Sequence, residues 1–190
     1  MLMNTSTPLK ELVPVTARGE ATRKKLLASA EIEFGSKGFP AASVSSITQR
    51  ADVGQGTFYL YFHSKEEVFA TLVRDINAEQ CAELAALAST ATGKEAERAV
   101  VTLLLEFVAQ SPGRHRILTE AQFVDAPVFQ AEQEKRFAAI AGSLAQGQRG
   151  TPELQLRAAV LVGASGLAAI EHCQWRGKPV SKGLIDAVAG

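Results

Sequence analysis

The stretch SVSSITQRADVGQGTFYLYFHSKEEVF, residues 43–69, decides the fold of this chain. It opens with Ser43, a residue type that caps helix N-termini because its hydroxyl oxygen accepts from an early backbone N–H. Val44, Ile47 and Ala51 follow at helical spacing and place apolar side chains on one face. This pattern predicts a short helix of about two turns.

A second short helix is predicted directly after the first. The residues DVGQ interrupt the helical pattern, and the aromatic run TFYLYF then continues to Phe62. We expect this helix to begin at Gly54 or Gln55 and to end at Phe62. Val53 and Phe58 are expected to join the apolar face and fix the angle between the two helices. Two short helices around a tight turn are the layout of a helix-turn-helix, whose second helix enters the DNA major groove.

Longer helices are predicted on both sides of this pair. An apolar stripe over residues 20–37 predicts a helix that Gly38 closes. After the pair, Ser64 and Glu67 fit a capping box, in which Glu67 reaches back to the backbone N–H of the cap. We expect the helix that follows to extend to about Leu87.

The rest of the chain also has helical patterns, at about 94–110, 114–122, 127–147, 152–175 and 181–189. No segment alternates with period two, so the chain is predicted to be all-α with about nine helices. Residues 1–19 are expected to form a flexible arm, residues 20–66 a helix-turn-helix domain, and residues 67–190 a larger helical domain.

Composition is that of a soluble globular protein: 46% of the 190 residues are hydrophobic and 21% are charged. The formal net charge is zero, but residues 1–65 hold 8 basic against 5 acidic residues and residues 66–190 hold 12 against 15. Cys81 and Cys173 show no metal-ligand spacing, so neither a metal nor a cofactor is predicted. The apolar run at 158–170 is too short to cross a bilayer and no signal peptide is evident, which predicts a cytoplasmic protein.

Both tyrosines of the chain lie in the aromatic run. Tyr59 and Tyr61 either donate hydroxyls to DNA phosphates or belong to the core, as aromatic stripes usually do. Lys65 opposes the helix dipole at its position, so it either joins Ser64 in binding a phosphate or is an exposed lysine without a role. Gly56 costs helix stability but permits close approach, which would leave Gln55 and Thr57 to reach base edges.

Residues 21–73 resemble the N-terminal domain of the tetracycline-repressor (TetR) family of bacterial transcriptional regulators. The resemblance rests on the Gly-Phe turn at residues 38–39, the Gly-Thr-Phe-Tyr-x-Tyr-Phe run and the Ser-Lys-Glu-Glu that follows. It implies DNA contacts from Ser43, Thr57, Tyr59, Tyr61 and Lys65, and variable sequence choice at Ser45, Ser46 and Gln55. Thr48 and Asp52 depart from the usual pattern. Asp tolerates unusual turn dihedrals, so the turn is expected to survive.

The resemblance also implies a ligand-responsive regulator, by family default a repressor, that binds a palindromic operator in double-stranded DNA. The last two helices would form a homodimer, and the nearly all-apolar helix at 152–175 is expected to be buried on every side. A small, largely apolar effector would bind among aromatic and histidine side chains, although ordinary core packing is the alternative for each. These candidates are Phe107, His115, Phe123, Phe129, Phe137, His172 and Trp175.

Two other functions were weighed against regulation. Residues 163–167, GASGL, nearly match the nucleophile elbow of hydrolases, but the final glycine is missing and no strand precedes them. Catalysis is therefore not expected. A helical module that binds protein instead of DNA stays open, and the salt dependence of binding would distinguish the two.

Overall fold

The structure is a computed structural model that describes residues 16–88, 91–145 and 151–190. Over these ranges the chain is all-α, with nine α-helices and no strand, as predicted. The helices are α1 Ala17–Lys37, α2 Val44–Ala51, α3 Gln55–Tyr59, α4 Lys65–Leu87, α5 Gly93–Gln110, α6 Pro112–Val124, α7 Ala126–Leu144, α8 Pro152–Ala169 and α9 Lys182–Ala189. A π-helical segment, Ile170–Trp175, continues α8.

The first helix begins three residues earlier than predicted. Thr16 caps it, because its hydroxyl oxygen accepts from the backbone N–H of Gly19 at 3.1 Å. Residues 17–19, assigned to a flexible arm from the sequence, are therefore helical, and the remainder of that predicted arm, residues 1–15, lies outside the described residues. Gly38 ends the helix as expected, with a φ of 83° that favours glycine.

The turn between α2 and α3 is built on a left-handed residue. Asp52 has φ 54° and ψ 50°, a conformation that Asp reaches more readily than most residues, so the departure from glycine leaves the turn intact. The helix α3 ends at Tyr59, not at Phe62 as predicted. The backbone tightens there, since Leu60 and Tyr61 bond to carbonyls only three residues back, and this brings Phe62 into the core.

One hydrophobic core joins the helix-turn-helix to the rest of the molecule. It contains Ile47, Phe58 and Phe62 from the paired helices and their connection, and Ile117 from α6. In the same core the rings of Phe34 and Phe69 meet edge to face at 5.2 Å between centroids. The five residues Val44, Ile47, Ala51, Val53 and Phe58 are all buried in or packed against it, which confirms their predicted inward orientation.

A second core holds the C-terminal helices together. Leu84 of α4, Leu105 of α5, Ile140 of α7 and Leu161 of α8 are fully buried in it, while α9 packs against α5 and α8. By length and composition alone, the 24-residue helical stretch Pro152–Trp175 could cross a membrane. One face of this stretch packs on α5 and α7.

The prediction that this stretch is buried on every side is wrong for the single chain. Leu156, Val160 and Leu167 are 69%, 51% and 65% exposed. Their spacing of four and seven residues places them on one face of α8, away from Leu161. This face is called the α8 stripe below.

Candidate nucleic-acid interface and ligand cavity

A polar ridge runs over the outer side of α2 and α3. Ser45 and Gln55 are exposed, and the Tyr59 side chain is 54% exposed. A β-carbon added at Gly56 would meet no atom within 4 Å, so the backbone there faces open space. Thr57 is half-buried beside them. The ridge offers hydroxyl, amide and bare backbone groups, the chemistry that reads base edges and phosphates.

Two of the predicted contact residues also cap α2. Ser43 accepts from the backbone N–H of Ser46 at 3.0 Å, and the hydroxyl of Ser46 accepts from the backbone N–H of Ser43 at 3.1 Å. This is a reciprocal capping box with serine in place of the usual Glu or Gln. Any DNA contact from these hydroxyls would use their remaining hydrogen-bonding capacity.

The two tyrosines lie in different surroundings. Tyr59 is held by the buried Phe58 ring, edge to face at 5.3 Å, and stands out of the surface. Tyr61 is half-buried and packs against the first core. The two alternatives that the sequence left open therefore divide between them: Tyr59 is a braced surface group, whereas the Tyr61 ring is partly a core residue.

Lys65 does more structural work than its position in the sequence indicated. Its ammonium donates to the carbonyl oxygens of Phe39 and Ala42, both at 2.9 Å, and lies 4.2 Å from the centroid of the Phe39 ring. These bonds fasten the α1–α2 connection to the start of α4. They offset the unfavourable interaction of Lys65 with the dipole of α4. A bound phosphate is therefore not needed to explain a lysine at this position.

The cap of α4 also differs from the prediction in one bond. Ser64 accepts from the backbone N–H of Glu67 at 3.2 Å, as expected. The Glu67 carboxylate, however, accepts from the backbone N–H of His63, one residue before the cap. The chain bends at His63, directly before this cap.

A cavity of about 260 Å³ lies between α6, α7 and α8. Its walls combine apolar side chains with a histidine and an arginine, and a narrow extension of about 20 Å³ shares four of its lining residues. Of the seven predicted pocket residues, His115 and Phe129 line the cavity, and Phe107 lines the extension. Gln122, Gly163 and Leu167 are exposed and form its mouth.

The other four predicted residues line neither space. Phe123 and Trp175 are 84% and 73% exposed, because they lie on the outer faces of the last turn of α6 and of the π-helical segment. Phe137 packs against the second core instead. His172 is half-buried on the π-helical segment. Aromatic type alone therefore did not identify the cavity wall.

Arg136 on α7 is the cavity residue that the sequence did not single out. It is only 7% exposed, and burial lowers its pKa to about 10. His115 lies across the cavity from it, and burial, with the Arg136 charge, lowers the pKa of His115 below its ordinary value. His115 is therefore neutral at pH 7.

The paired helices α2 and α3 lie in a segment that is similar to known proteins. The model of the family described as "Bacterial regulatory proteins, tetR family" matches residues 26–72, and solved structures of TetR-like regulators share the fold. The chain therefore contains the segment that this family model describes. It is 45% identical over 62 residues to an uncharacterized HTH-type transcriptional regulator, YdgC, of Bacillus subtilis, covering 33% of this chain and 32% of that protein.

A second relative matches a longer part of the chain. It is the HTH-type transcriptional activator FasR of Mycolicibacterium smegmatis, 28% identical over 116 residues, or 60% of this chain and 52% of that protein. The chain thus spans about a third to about half of these relatives. The transcriptional regulator FadR of Bacillus subtilis, solved with stearoyl-CoA, has the same fold, with a TM-score of 0.69 over 87% of this chain and 95% of that one at 17% identity.

Within this TetR fold, Glu33 is a further residue that sequence reasoning missed. Its carboxylate is 2% exposed and accepts from Lys37 at 2.6 Å and from Arg50 at 2.9 Å. The Arg50 bond ties α1 to α2, and chiefly the Lys37 bond, within α1, lowers the pKa of Glu33 although burial opposes it. A glutamate on the buried face of a helix was the available signal.

The same TetR fold uses α6 for both halves of the molecule. Arg116 donates to the carbonyl of Ser36 at 2.9 Å, and the Glu120 carboxylate accepts from the backbone N–H of Phe39 at 2.7 Å. On the same helix His115 and Leu118 line the cavity. The single helix α6 therefore contacts both the cavity and the end of α1.

The near-match to a hydrolase motif has no hydrolase geometry. Ser165 is fully buried in the middle of α8. A nucleophile elbow requires a serine exposed at a strand-to-helix turn. The relatives compared above are named as regulators and not as enzymes.

Proposed function

We propose that this chain is a ligand-responsive, DNA-binding transcriptional regulator that binds a palindromic operator as a homodimer. The observation that carries the proposal is the polar ridge over α2 and α3, held rigid from below by Ile47 and Phe58. Rigid placement matters because base readout depends on side chains held in register with the groove.

The residues of the ridge take different roles in this proposal. Tyr59 and Thr57 would donate to phosphates, and Gln55 and Ser45 would reach base edges. Gly56 lets the DNA backbone approach. Contacts from Ser43, Ser46, Tyr61 and Lys65 would be made by groups that also hold the domain together, so their substitution would weaken the domain along with DNA binding.

A homodimer is supported by the α8 stripe. Leu156, Val160 and Leu167 form an exposed apolar face that nothing within the described residues covers. Burying such a face against a two-fold-related copy removes apolar surface from water. Two ridges related by the two-fold axis would meet half-sites spaced by one helical turn of DNA, about 34 Å, or a multiple of it.

The effector would occupy the cavity between α6, α7 and α8. Its walls are mostly apolar, which supports a small, largely apolar ligand. A ligand that fits two positions of α6 unequally would shift the position of α1, and with it the spacing of the ridges. We therefore propose that the protein represses transcription while it is bound to DNA and that the effector releases it.

The proposed division of labour follows the sequence boundaries. Residues 20–66 would read DNA, and residues 67–190 would bind the effector and form the dimer. The site of action would be the cytoplasm, where a bacterial regulator meets its DNA.

Selection of random duplexes by the purified protein tests this function. We expect one palindromic sequence to be enriched, with an affinity that falls steeply as salt is raised, because phosphate contacts release counterions. A scrambled duplex of the same length serves as control. Binding that ignores both sequence and salt, or no binding in dilute buffer, would exclude the proposed function.

A further inference from the structure

The cavity contains a buried cation, Arg136, that forms no ion pair among the described residues, although the Glu132 charge acts on it from beyond ion-pair distance. Arg136 donates through Nη1 to the amide oxygen of Gln80 at 3.4 Å and through Nη2 to that of Gln133. Among the described residues, no carboxylate lies within ion-pair distance of its guanidinium, and its buried Nε has no acceptor. Both amide partners are neutral. A buried charge in this state is costly unless another group neutralises it.

The acid one helical turn before Arg136 on α7 forms its direct hydrogen bonds elsewhere. Glu132 accepts from the Lys135 ammonium at 2.6 Å through one oxygen and from the Asn77 amide at 2.8 Å through the other. These bonds use both carboxylate oxygens. Arg136 therefore lines the cavity without a protein carboxylate in direct contact.

The unpartnered groups at this point are donors. The buried Nε2 of Gln80 has no acceptor, and Gln80 and Arg136 line the same narrow extension of the cavity. Two donors without acceptors call for a ligand atom that accepts hydrogen bonds. A guanidinium presents its donors in a planar fork that matches a carboxylate.

The remainder of the cavity is suited to hydrocarbon. Leu118, Phe129 and Ile170 line it, and its volume of about 260 Å³ sets the size of the occupant. Pockets for drug-sized ligands usually measure about 300–1,000 Å³, so the occupant is smaller than these.

We propose that this cavity binds a small monocarboxylate with a compact apolar body. The carboxylate oxygens accept from the guanidinium of Arg136 and from Gln80 Nε2, and the apolar body lies against Leu118, Phe129 and Ile170. One carboxylate balances one guanidinium, whereas a phosphate dianion would leave a buried negative charge. The proposal rests on the proposed function of the cavity as the effector site and adds the charge of the effector.

Titration calorimetry on the full chain tests the charge preference with phenylacetate, phenylacetamide and phenyl phosphate. We expect phenylacetate to bind at least about tenfold more tightly than the neutral amide and the phosphate. Arg136→Met, which keeps length and removes charge, should weaken phenylacetate binding by at least about tenfold. Arg176→Met is the matched control, because that arginine is exposed and pairs with Glu171.

A second variant keeps the proposal testable if Arg136→Met does not fold. Gln80→Leu should weaken phenylacetate binding by about threefold or more without affecting phenylacetamide. Equal binding of acid and amide, tighter binding of the phosphate, or no binding at millimolar concentration would overturn the proposal. Duplex binding is measured on the same samples without a probe. Intact DNA binding with no acid preference would sink the charge assignment alone, and absent DNA binding would sink the regulatory function alone.

Discussion

Gly35 on α1 and Gly113 on α6 touch through their backbones: a β-carbon on Gly35 would come within 2.9 Å of the Gly113 Cα. Backbone atoms cannot swing aside as a long side chain can. The two helices can therefore lie this close only because neither residue carries a side chain. This contact sets the position of α1, which packs on the helix-turn-helix, relative to α6, which lines the cavity.

Gly35→Ala should force α1 and α6 apart. We expect it to lower the free energy of unfolding by about 1–3 kcal/mol, the usual cost of overpacking, as measured by urea denaturation. Gly142→Ala is the control, because a β-carbon there meets nothing within 4 Å. Alanine is a better helix former than glycine, so the control should gain up to about 1 kcal/mol. Equal effects in both variants would show that the contact is loose.

Substitutions on the ridge should separate affinity from sequence choice. Tyr59→Phe removes a solvent-facing hydroxyl and should weaken binding to all duplexes alike, by about 0.5–1.5 kcal/mol. Gln55→Ala should instead cost about 1–3 kcal/mol on the preferred duplex and little on others. Fluorescence anisotropy with the selected duplex and a point-changed duplex measures both. The assignment of Gln55 fails if the two variants respond identically to both duplexes.

Glu33→Gln should loosen α2 from α1. The variant loses the charge that binds Lys37 and Arg50, and we expect about 1–3 kcal/mol of destabilisation near pH 7. Because the pKa of Glu33 is lowered in the folded state, its contribution is present above about pH 4.5 and is lost as the pH falls through the folded pKa. Denaturation curves of the wild type and the variant should therefore differ at pH 7 and coincide in acid. A constant difference at all pH values would contradict this role.

Acid should also act through His115. The unfolded histidine takes a proton near its ordinary pKa of about 6.5, while burial and Arg136 lower the pKa in the folded state. Stability should therefore fall as the pH drops from about 7 to 5, by at most about 1.4 kcal/mol per pH unit. His115→Gln should flatten this slope, and His172→Gln is the comparison. An unchanged slope in His115→Gln would show that folding does not lower the pKa of this histidine.

Val160→Glu should prevent association of the chain. Placing a charge in the centre of the α8 stripe makes its burial against a second copy unfavourable. Light scattering after size exclusion should give the mass of a dimer for the wild type and of a monomer for the variant. Ile32→Glu, at a 51% exposed position on α1, should leave the dimer intact. A wild-type monomer at micromolar concentration would refute the interface.

Local signals in the sequence predicted most helix ends, because caps such as Ser43 and Ser64 and the glycine at position 38 act within a few residues. Partners distant in sequence were not predictable in this way. The carbonyls that bind Lys65 lie 26 and 23 residues away, and Arg50 is 17 residues from Glu33. A helical pattern shows which face is apolar, but not which other helix covers it.

The lining of the cavity also depends on residues that are distant in sequence. Its walls come from three helices, and aromatic type was used to nominate its lining. That choice found Phe107, His115 and Phe129, but it also selected the exposed Phe123 and Trp175. Arg136 carried no sequence signal, since an arginine on a helix is usually a solvated residue. Its burial is set by how α7 packs on its neighbours.

The first hydrophobic core takes Ile117, Leu118 and Ala121 from α6 as well as side chains from α1 to α4. If residues 16–66 alone were grafted onto another protein of the same fold, their inner face would pack against a different α6 and lose its contacts with these three residues. A chimaera that folds should therefore contain the α6 of this chain together with residues 16–66. The same restriction would apply in evolution. A change of DNA sequence preference should therefore arise from substitutions on the exposed ridge, while the α6 residues of the first core stay the same.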